Sequence, residues 1–422
     1  MTGIRLKPIP FIAALFFVML ASNLNAKDLK VVSPESVGLS SERLSRIDKV
    51  MQEIIDQKKN AGMVVLIARH GSIAYHKAFG FADIESGTKM DTDRIFRLAS
   101  MTKPITSVAL LTLYEEGKFQ LSDPLEKYIP AFKDVKVFAG FDNNGKMILE
   151  EPKRKITIHD VFRHTPGYGG GGPDSPLGKL YREAGADMSK VNSLKEYVEN
   201  LAKVPLQYHP GERWVYGPSH EIQAYLCEIF SGMPFDKYVE TKVLQPLGMK
   251  DTVFGVPKEL VSRFTTSYRP GKDGIQVVDK PGSNSPNVFG RIPSGGGGLS
   301  STSTDYFQFA QMLLNKGKLG DVRILGKKTV ELMSSNNLPP GVSRIASIYG
   351  DTAYGLGVYV LQDPAQDENL GSAGNFGWGG ASGVYSIIDP KEDMVALFFT
   401  QIMGEFIIPH QFQTLVYQAI VD

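Results

Sequence analysis

Two apolar hairpin patterns stand at opposite ends of this chain and constrain its fold more than any other feature. Near the front, Met63-Val64-Val65-Leu66-Ile67-Ala68 and Ser72-Ile73-Ala74-Tyr75 flank His70-Gly71. Near the end, Gly383-Val384-Tyr385-Ser386-Ile387-Ile388 and Met394-Val395-Ala396-Leu397-Phe398-Phe399 flank Asp389-Pro390-Lys391-Glu392-Asp393. Such runs around short turn-forming segments read as antiparallel strand pairs. A terminal helix is expected around Phe412 to Ile420. At 422 residues the chain is long for one core, so two packed subdomains are expected.

Between the hairpins the apolar spacing becomes helical. Ile105 to Tyr114 is apolar on nearly every face and stops at Gly117, the pattern of a buried central helix. Further helical patterns run from Ser193 to Leu201, Glu221 to Phe230, Phe235 to Val243 and Thr304 to Leu314, the last with Ser303 or Thr304 as N-cap. The expected fold class is therefore α+β. One antiparallel sheet, flanked by helices, is built from both chain ends (27–95 and 291–422), and a mostly helical subdomain (96–290) is inserted between them. A site would fall in the cleft between the two parts.

The balance of 46 Lys+Arg against 45 Asp+Glu, without a basic run, gives no electrostatic reason to expect a nucleic-acid partner. Arg5 and Lys7 precede the apolar run Phe11 to Leu20, and Ala26 precedes Lys27, which outlines a secretory signal peptide over 1–26. The run is short for a bilayer span, although a retained anchor is the alternative. The mature chain is expected to be exported, periplasmic or secreted, without stable membrane insertion. Cys227, the only cysteine, sits in the apolar stretch Ala224 to Phe230 and reads as a buried structural thiol. The glycine-rich loops Gly167 to Gly172 and Gly295 to Gly298 lack the Lys-Ser/Thr of a phosphate-binding loop. The first reads as a mobile cleft edge, the second as close backbone packing beside the sheet.

Several familiar catalytic patterns are missing. Gly217-Pro218-Ser219-His220-Glu221 fails as a nucleophile elbow at its fifth place, and His220-Glu221 lacks the second histidine of a zinc-protease motif because Ala224 stands there. The seven histidines form no metal-ligand spacing. What remains is Ser100-Met101-Thr102-Lys103, followed by Pro104, at the start of the central helix. Residues at i and i+3 share a helix face, so hydroxyl and amine can meet, and an amine in its neutral form can take the serine's proton. Proline is tolerated in a helix's first turn, which puts Ser100 at the positive end of the helix dipole. A bare Ser-x-x-Lys also occurs as a solvated pair. Tyr216, in Glu212-Arg213-Trp214-Val215-Tyr216-Gly217-Pro218-Ser219, is a candidate second acid/base, or else a core tyrosine beside Trp214. Gly377-Trp378-Gly379-Gly380-Ala381-Ser382-Gly383 is a strand edge on which a backbone N–H can approach a carbonyl, or else a simple turn.

Taken in order, these segments resemble the serine β-lactamase and penicillin-binding-protein superfamily, and most closely class C β-lactamases and the esterases built on that fold (family VIII carboxylesterases). Further matching stretches are Leu121-Ser122-Asp123-Pro124-Leu125, Ile156-Thr157-Ile158-His159-Asp160 through His164-Thr165-Pro166-Gly167, Tyr208-His209-Pro210-Gly211-Glu212, Leu244-Gln245-Pro246-Leu247-Gly248-Met249 and Ser294-Gly295-Gly296-Gly297-Gly298-Leu299. The resemblance implies Ser100 as acylated nucleophile, Lys103 as its activating partner and Tyr216 as second general acid/base. It puts the oxyanion hole at the backbone N–H groups of Ser100 and Ala381, and it leaves open whether Lys103 or Tyr216 takes the first proton.

Two departures bear on substrate. Trp378 stands where β-lactamases carry the lysine of Lys-Thr-Gly, and Pro218 replaces the asparagine of Tyr-x-Asn, with Ser219 as a partial substitute. Esterases of this superfamily commonly carry Trp-Gly-Gly at that place, so Trp378, Gly379 and Gly380 are expected to form a substrate wall. The resemblance thus implies a serine hydrolase of small carboxylic esters that needs no metal or organic cofactor. A β-lactamase, a D-amino-acid peptidase or acyltransferase, and a non-catalytic ligand-binding protein are the alternatives.

Overall fold

The two ends of the chain meet edge to edge. The computed structural model describes residues 31–169, 175–272, 274–282, 292–343, 352–405 and 407–422. The leader at 1–26, Gly170 to Gly172 of the first glycine-rich loop and the 290/291 boundary lie outside the described residues. Helix α1 (Ser41–Asp56) leads into strands β1 (Gly62–Arg69), β2 (Ser72–Asp83) and β3 (Thr88–Lys89). His70 and Gly71, at φ 54° and 70°, make the two-residue turn between β1 and β2, which requires positive φ at both positions. From the other end come β4 (Ala353–Tyr354), β5 (Tyr359–Val360), β6 (Phe376–Gly379), β7 (Tyr385–Asp389) and β8 (Met394–Thr400). The sheet order is β4-β5-β6-β7-β8-β1-β2-β3, antiparallel throughout. β1 and β8 join the halves, from Met63 opposite Thr400 to Arg69 opposite Met394.

Both faces of this sheet are covered, which is why its central strands read as continuous apolar runs. Along β1, Val64, Leu66 and Ala68 enter one core while Met63, Val65 and Ile67 enter another. The first core holds α2 (Thr102–Glu115), α3 (Ser219–Ser231) and α4 (Ser303–Leu314); the second holds α1 and α5 (Ile407–Tyr417). α2 is buried on all sides over Thr102 to Leu111, and the chain turns off it at Gly117, φ 73°. Cys227 is buried in α3, where burial pushes its thiol pKa up.

Several boundaries differ from expectation. α4 is capped by Thr302, whose hydroxyl accepts from Asp305 N–H, so Ser303 and Thr304 are already helical. α5 begins at Ile407 rather than near Phe412 and ends at Tyr417. Phe235–Val239 continues as a π-helical turn over Glu240–Leu244. The stretch 96–290 also holds two hairpins that apolar alternation did not reveal, Val137–Phe141 with Met147–Glu150 and Ser267–Gly271 with Gly274–Asp279. Strands so largely exposed on both faces carry little period-2 signal; in the first pair only Val137 is buried. No helix among the described residues is long and apolar enough to cross a membrane.

Candidate active site

Ser100 sits on a strained turn. Phe96–Arg97 pairs with Leu299–Ser301 in a small sheet, then Ala99–Met101 makes one 3₁₀ turn that runs directly into α2. Ala99 has φ 43°, a left-handed conformation that costs a non-glycine residue roughly 1–3 kcal/mol. The neighbours hold it there. Leu98 N–H donates to the Leu299 carbonyl at 3.0 Å, and Ser382 Oγ donates to the Arg97 carbonyl at 2.5 Å. Arg97 itself is tied to the Thr265 carbonyl (2.9 Å) and to the buried Asp279 carboxylate.

Lys103 and Tyr216 converge on the serine hydroxyl. Lys103 Nζ donates to Ser100 Oγ at 3.1 Å and to the Gly296 carbonyl at 2.6 Å, and Tyr216 OH donates to Ser100 Oγ at 2.6 Å. The ammonium also lies 4.7 Å from the centre of the tyrosine ring, a cation–π distance. Exposure separates the two partners: the Lys103 residue is 5% exposed, Tyr216 38%. The serine therefore has one partner sealed in protein and one exposed to solvent.

Tyr216 is held by rings. Its centroid lies 5.0 Å from His164, 5.9 Å from Trp378 and 6.1 Å from Trp214; Tyr354 packs on His164 (5.4 Å) and on Trp378 (5.2 Å). The backbone contributes too, because Val215 N–H donates to the His164 carbonyl at 2.9 Å. Asp160 steadies the stretch below, accepting from Arg154, Arg163, Thr157 and Thr165, which keeps its pKa at about 2 despite the upward push of burial. His164 and His220 are fully buried with ring centroids 5.0 Å apart, and burial, aided by the Lys103 charge, lowers both pKa values well below the usual histidine range. Among the described residues neither ring nitrogen of His164 has a hydrogen-bond partner.

The third segment docks on the first. Gly380 packs so tightly that a Cβ there would lie 2.2 Å from the Leu98 carbonyl oxygen, and its N–H closes a turn onto Val384 at 2.8 Å. Ala381, at the tip of that turn, is anchored through its carbonyl to Gly404 N–H at 2.8 Å. Gly379 pairs with Tyr385 in the sheet. Trp378 is only 3% exposed, so most of its face packs on Tyr216 and Tyr354 rather than standing open. Ser219 is buried at 1% exposure, and its hydroxyl has no hydrogen-bond partner among the described residues. The Gly295 to Gly298 loop lies against α3 rather than the large sheet: a Cβ on Gly295 would meet the His220 carbonyl at 2.3 Å. Among the described residues no group of three His, Cys, Asp or Glu side chains is placed to hold a metal.

Sequence reasoning did not single out His164, Tyr354, Glu221 or the Gly296 carbonyl. His164 stood in a matching stretch without a role, and its φ of 57° marks a built turn. Gly296 likewise stood in a matching stretch without a role, Glu221 follows Tyr216 by five residues but binds partners 73 to 75 positions away, and Tyr354 comes from a segment that carries no motif.

Known proteins are similar to this chain over most of its length. The Beta-lactamase family model matches residues 47–409. Protein Rv1367c of Mycobacterium tuberculosis is 30% identical over 367 residues, covering 83% of this chain and 88% of that protein. Esterase EstB of Burkholderia gladioli is 28% identical over 389 residues, covering 87% and 93%. Among solved structures, EstCE1, described as a hydrolase with promiscuous acyltransferase activity, superposes with a TM-score of 0.74 at 25% identity, covering 89% of this chain and 99% of that one.

Proposed function

The chain belongs to the beta-lactamase family, and from that premise we propose that this hydrolase is a serine esterase that cleaves small carboxylic esters through an acyl-enzyme on Ser100. The observation that carries the reading is the convergence of Lys103 Nζ and Tyr216 OH on one serine oxygen, at 3.1 and 2.6 Å. A serine hydroxyl on a helix N-terminus can be deprotonated as it attacks when one of these two neighbours is in its unprotonated form, Lys103 as amine or Tyr216 as phenolate.

Each step has a residue. Ser100 Oγ bonds to the ester carbonyl carbon as its proton passes to the unprotonated member of the Lys103–Tyr216 pair. The carbonyl oxygen gains negative charge and is met by the N–H groups of Ser100 and Ala381. The C–O bond to the alcohol then breaks, and the departing oxygen takes a proton from Tyr216. Tyr216 is suited to that transfer because it faces the cleft, whereas Lys103 is enclosed and already donates to Gly296. Water next attacks the acyl group, gives its proton back through Tyr216, and releases the acid and Ser100.

Ester rather than lactam substrates are supported by Trp378, where the β-lactamases carry a lysine that holds a carboxylate. Esterase EstB among the relatives points the same way. The reading also takes residues 1–26 as an export signal and divides the rest into 27–95 with 291–422 and 96–290, the site lying at their junction.

The test is a side-by-side rate assay of the mature protein and Ser100→Ala with p-nitrophenyl butyrate and a chromogenic cephalosporin. Ester cleavage that vanishes in Ser100→Ala and far exceeds lactam turnover is expected. Equal lactam turnover would reassign the protein as a β-lactamase, and silence on both would revive the ligand-binding alternative.

A further inference from the structure

Glu221 lies outside the serine, lysine and tyrosine constellation, yet its carboxylate reaches the same loop that Lys103 does. It sits in the first turn of α3, five residues after Tyr216, and is only 7% exposed. Oε1 accepts from Ser294 Oγ at 2.7 Å and from Gly296 N–H at 3.0 Å, and Oε2 accepts from Gly295 N–H at 2.9 Å. All three donors belong to one tripeptide. The Gly295 carbonyl, in the same peptide unit as the Gly296 N–H, accepts from Thr106 Oγ1 at 2.7 Å. Thr106 is one helical turn beyond Lys103. That peptide unit is thus gripped at both ends, by Glu221 and by α2, and the next carbonyl along, Gly296, is the one that receives Lys103 Nζ at 2.6 Å.

The glycines make the grip possible. A Cβ on Gly296 would lie 2.7 Å from Glu221 Oε1 and 3.6 Å from Lys103 Nζ. A buried carboxylate is costly unless donors surround it, and among the described residues every donor to Glu221 comes from the turn that supports the lysine. A carboxylate serving the core alone has no such requirement.

We propose that Glu221 is a positioning residue for the hydrolytic site: through the Ser294–Gly296 turn it fixes the carbonyl that aims Lys103 Nζ at Ser100 Oγ. The proposal rests on the reading of Ser100 as nucleophile. It makes Glu221 the link between the two sides of the site, since its helix also follows directly from the strap that carries Tyr216. Loss of the carboxylate frees the turn, and a drift of about 1 Å at the lysine is enough to slow chemistry ~100-fold.

The experiment measures Ser100 phosphonylation by a fluorophosphonate, with loss of fluoride, in the full-length mature protein and in Glu221→Gln, alongside kcat and KM for p-nitrophenyl butyrate. Glutamine has one acceptor oxygen where Glu221 has two, and its amide would set a donor against a backbone N–H. The expected result is a roughly 10- to 100-fold fall in both labelling rate and kcat, with KM within about threefold of wild type. Labelling and kcat within twofold of wild type would overturn the proposal, as would a loss confined to KM. Ser294→Ala, which removes one of the three donors and leaves the carboxylate, should slow labelling in the same direction by a smaller factor. If Glu221→Gln does not fold, that variant decides, and a wild-type labelling rate in it overturns the proposal. Failure of the underlying reading looks different: wild type itself would resist labelling, or Ser100→Ala would keep wild-type ester turnover, and the proposal would fall with it.

Discussion

The two sides of Ser100 are built by different physics. On the lysine side, Lys103, Gly296, Gly295, Thr106, Ser294 and Glu221 form a chain of hydrogen bonds of 2.6 to 3.1 Å, all within protein. On the tyrosine side, Tyr216 stands among His164, Trp214, Tyr354 and Trp378, held by ring contacts of 5.0 to 6.1 Å. Directional bonds fix an atom's position; tilted ring contacts confine a plane and leave the phenol partly open to solvent. The contrast suits the division of labour proposed above, an enclosed partner that prepares the nucleophile and a cleft-facing partner that exchanges protons with alcohol and water.

The sharpest way to break the comparison is to remove one member from each side. Lys103→Ala deletes the enclosed partner and leaves the Gly296 carbonyl without its donor. It should lower kcat by ~10³- to 10⁴-fold. Tyr216→Phe keeps the stacked ring and deletes one oxygen, so a fall of ~10²- to 10³-fold is expected, with the folded structure intact. Steady-state kinetics on p-nitrophenyl butyrate decide both. A Tyr216→Phe enzyme at wild-type rate would mean that Lys103 alone handles the proton and that the open side is only a wall.

Trp378→Phe sharpens the aromatic side. The indole lies tilted at 30° against Tyr216 and meets Tyr354 edge-on, while only 3% of the residue is exposed. If it acts by keeping the Tyr216 plane in place, the smaller ring should reduce kcat ~3- to 10-fold for short and long acyl esters alike. A change confined to KM of the longer esters would instead make it a substrate-contacting wall.

How much of this could be read from the chain depended on distance along it. Ser100 and Lys103 were legible because a helix brings i and i+3 together whatever surrounds them. That both chain ends enter one antiparallel sheet was legible from the two apolar hairpin patterns, whereas the joining of β1 to β8 came only from the structure. Tyr216 needed the order of all three segments, since nothing local separates a cleft tyrosine from a core one. Glu221 was visible only as a helix-start residue within failed elbow and zinc-protease motifs, because its donors lie 73 to 75 positions away. The Val137–Phe141 hairpin escaped because a strand largely exposed on both faces has no reason to alternate. That Trp378 packs against the rings of Tyr216 and Tyr354 was not legible, because those residues lie far from it in the chain.

The smallest effect concerns His164, the histidine of the aromatic side. In the folded protein burial holds its imidazole neutral far below the usual pKa near 6.5, with the Lys103 charge adding to the effect, and His220 behaves alike. The unfolded chain takes up protons on these rings as pH falls through ~6.5, and the native state does not. Stability from this source is therefore complete above ~6.5 and declines as pH drops toward the depressed native values, by at most about 1.4 kcal/mol per pH unit for each ring. His164→Asn removes one of the two rings while retaining a residue suited to the left-handed φ of 57°. Its urea unfolding free energy is lower at neutral pH because a packed ring is gone. Between pH 6.5 and 5, however, that free energy should fall less steeply than in wild type, by up to one proton's slope. Parallel slopes would mean that His164 takes up its proton in the folded state, and a ring able to charge beside Lys103 would overturn the picture of an aromatic side held by shape alone.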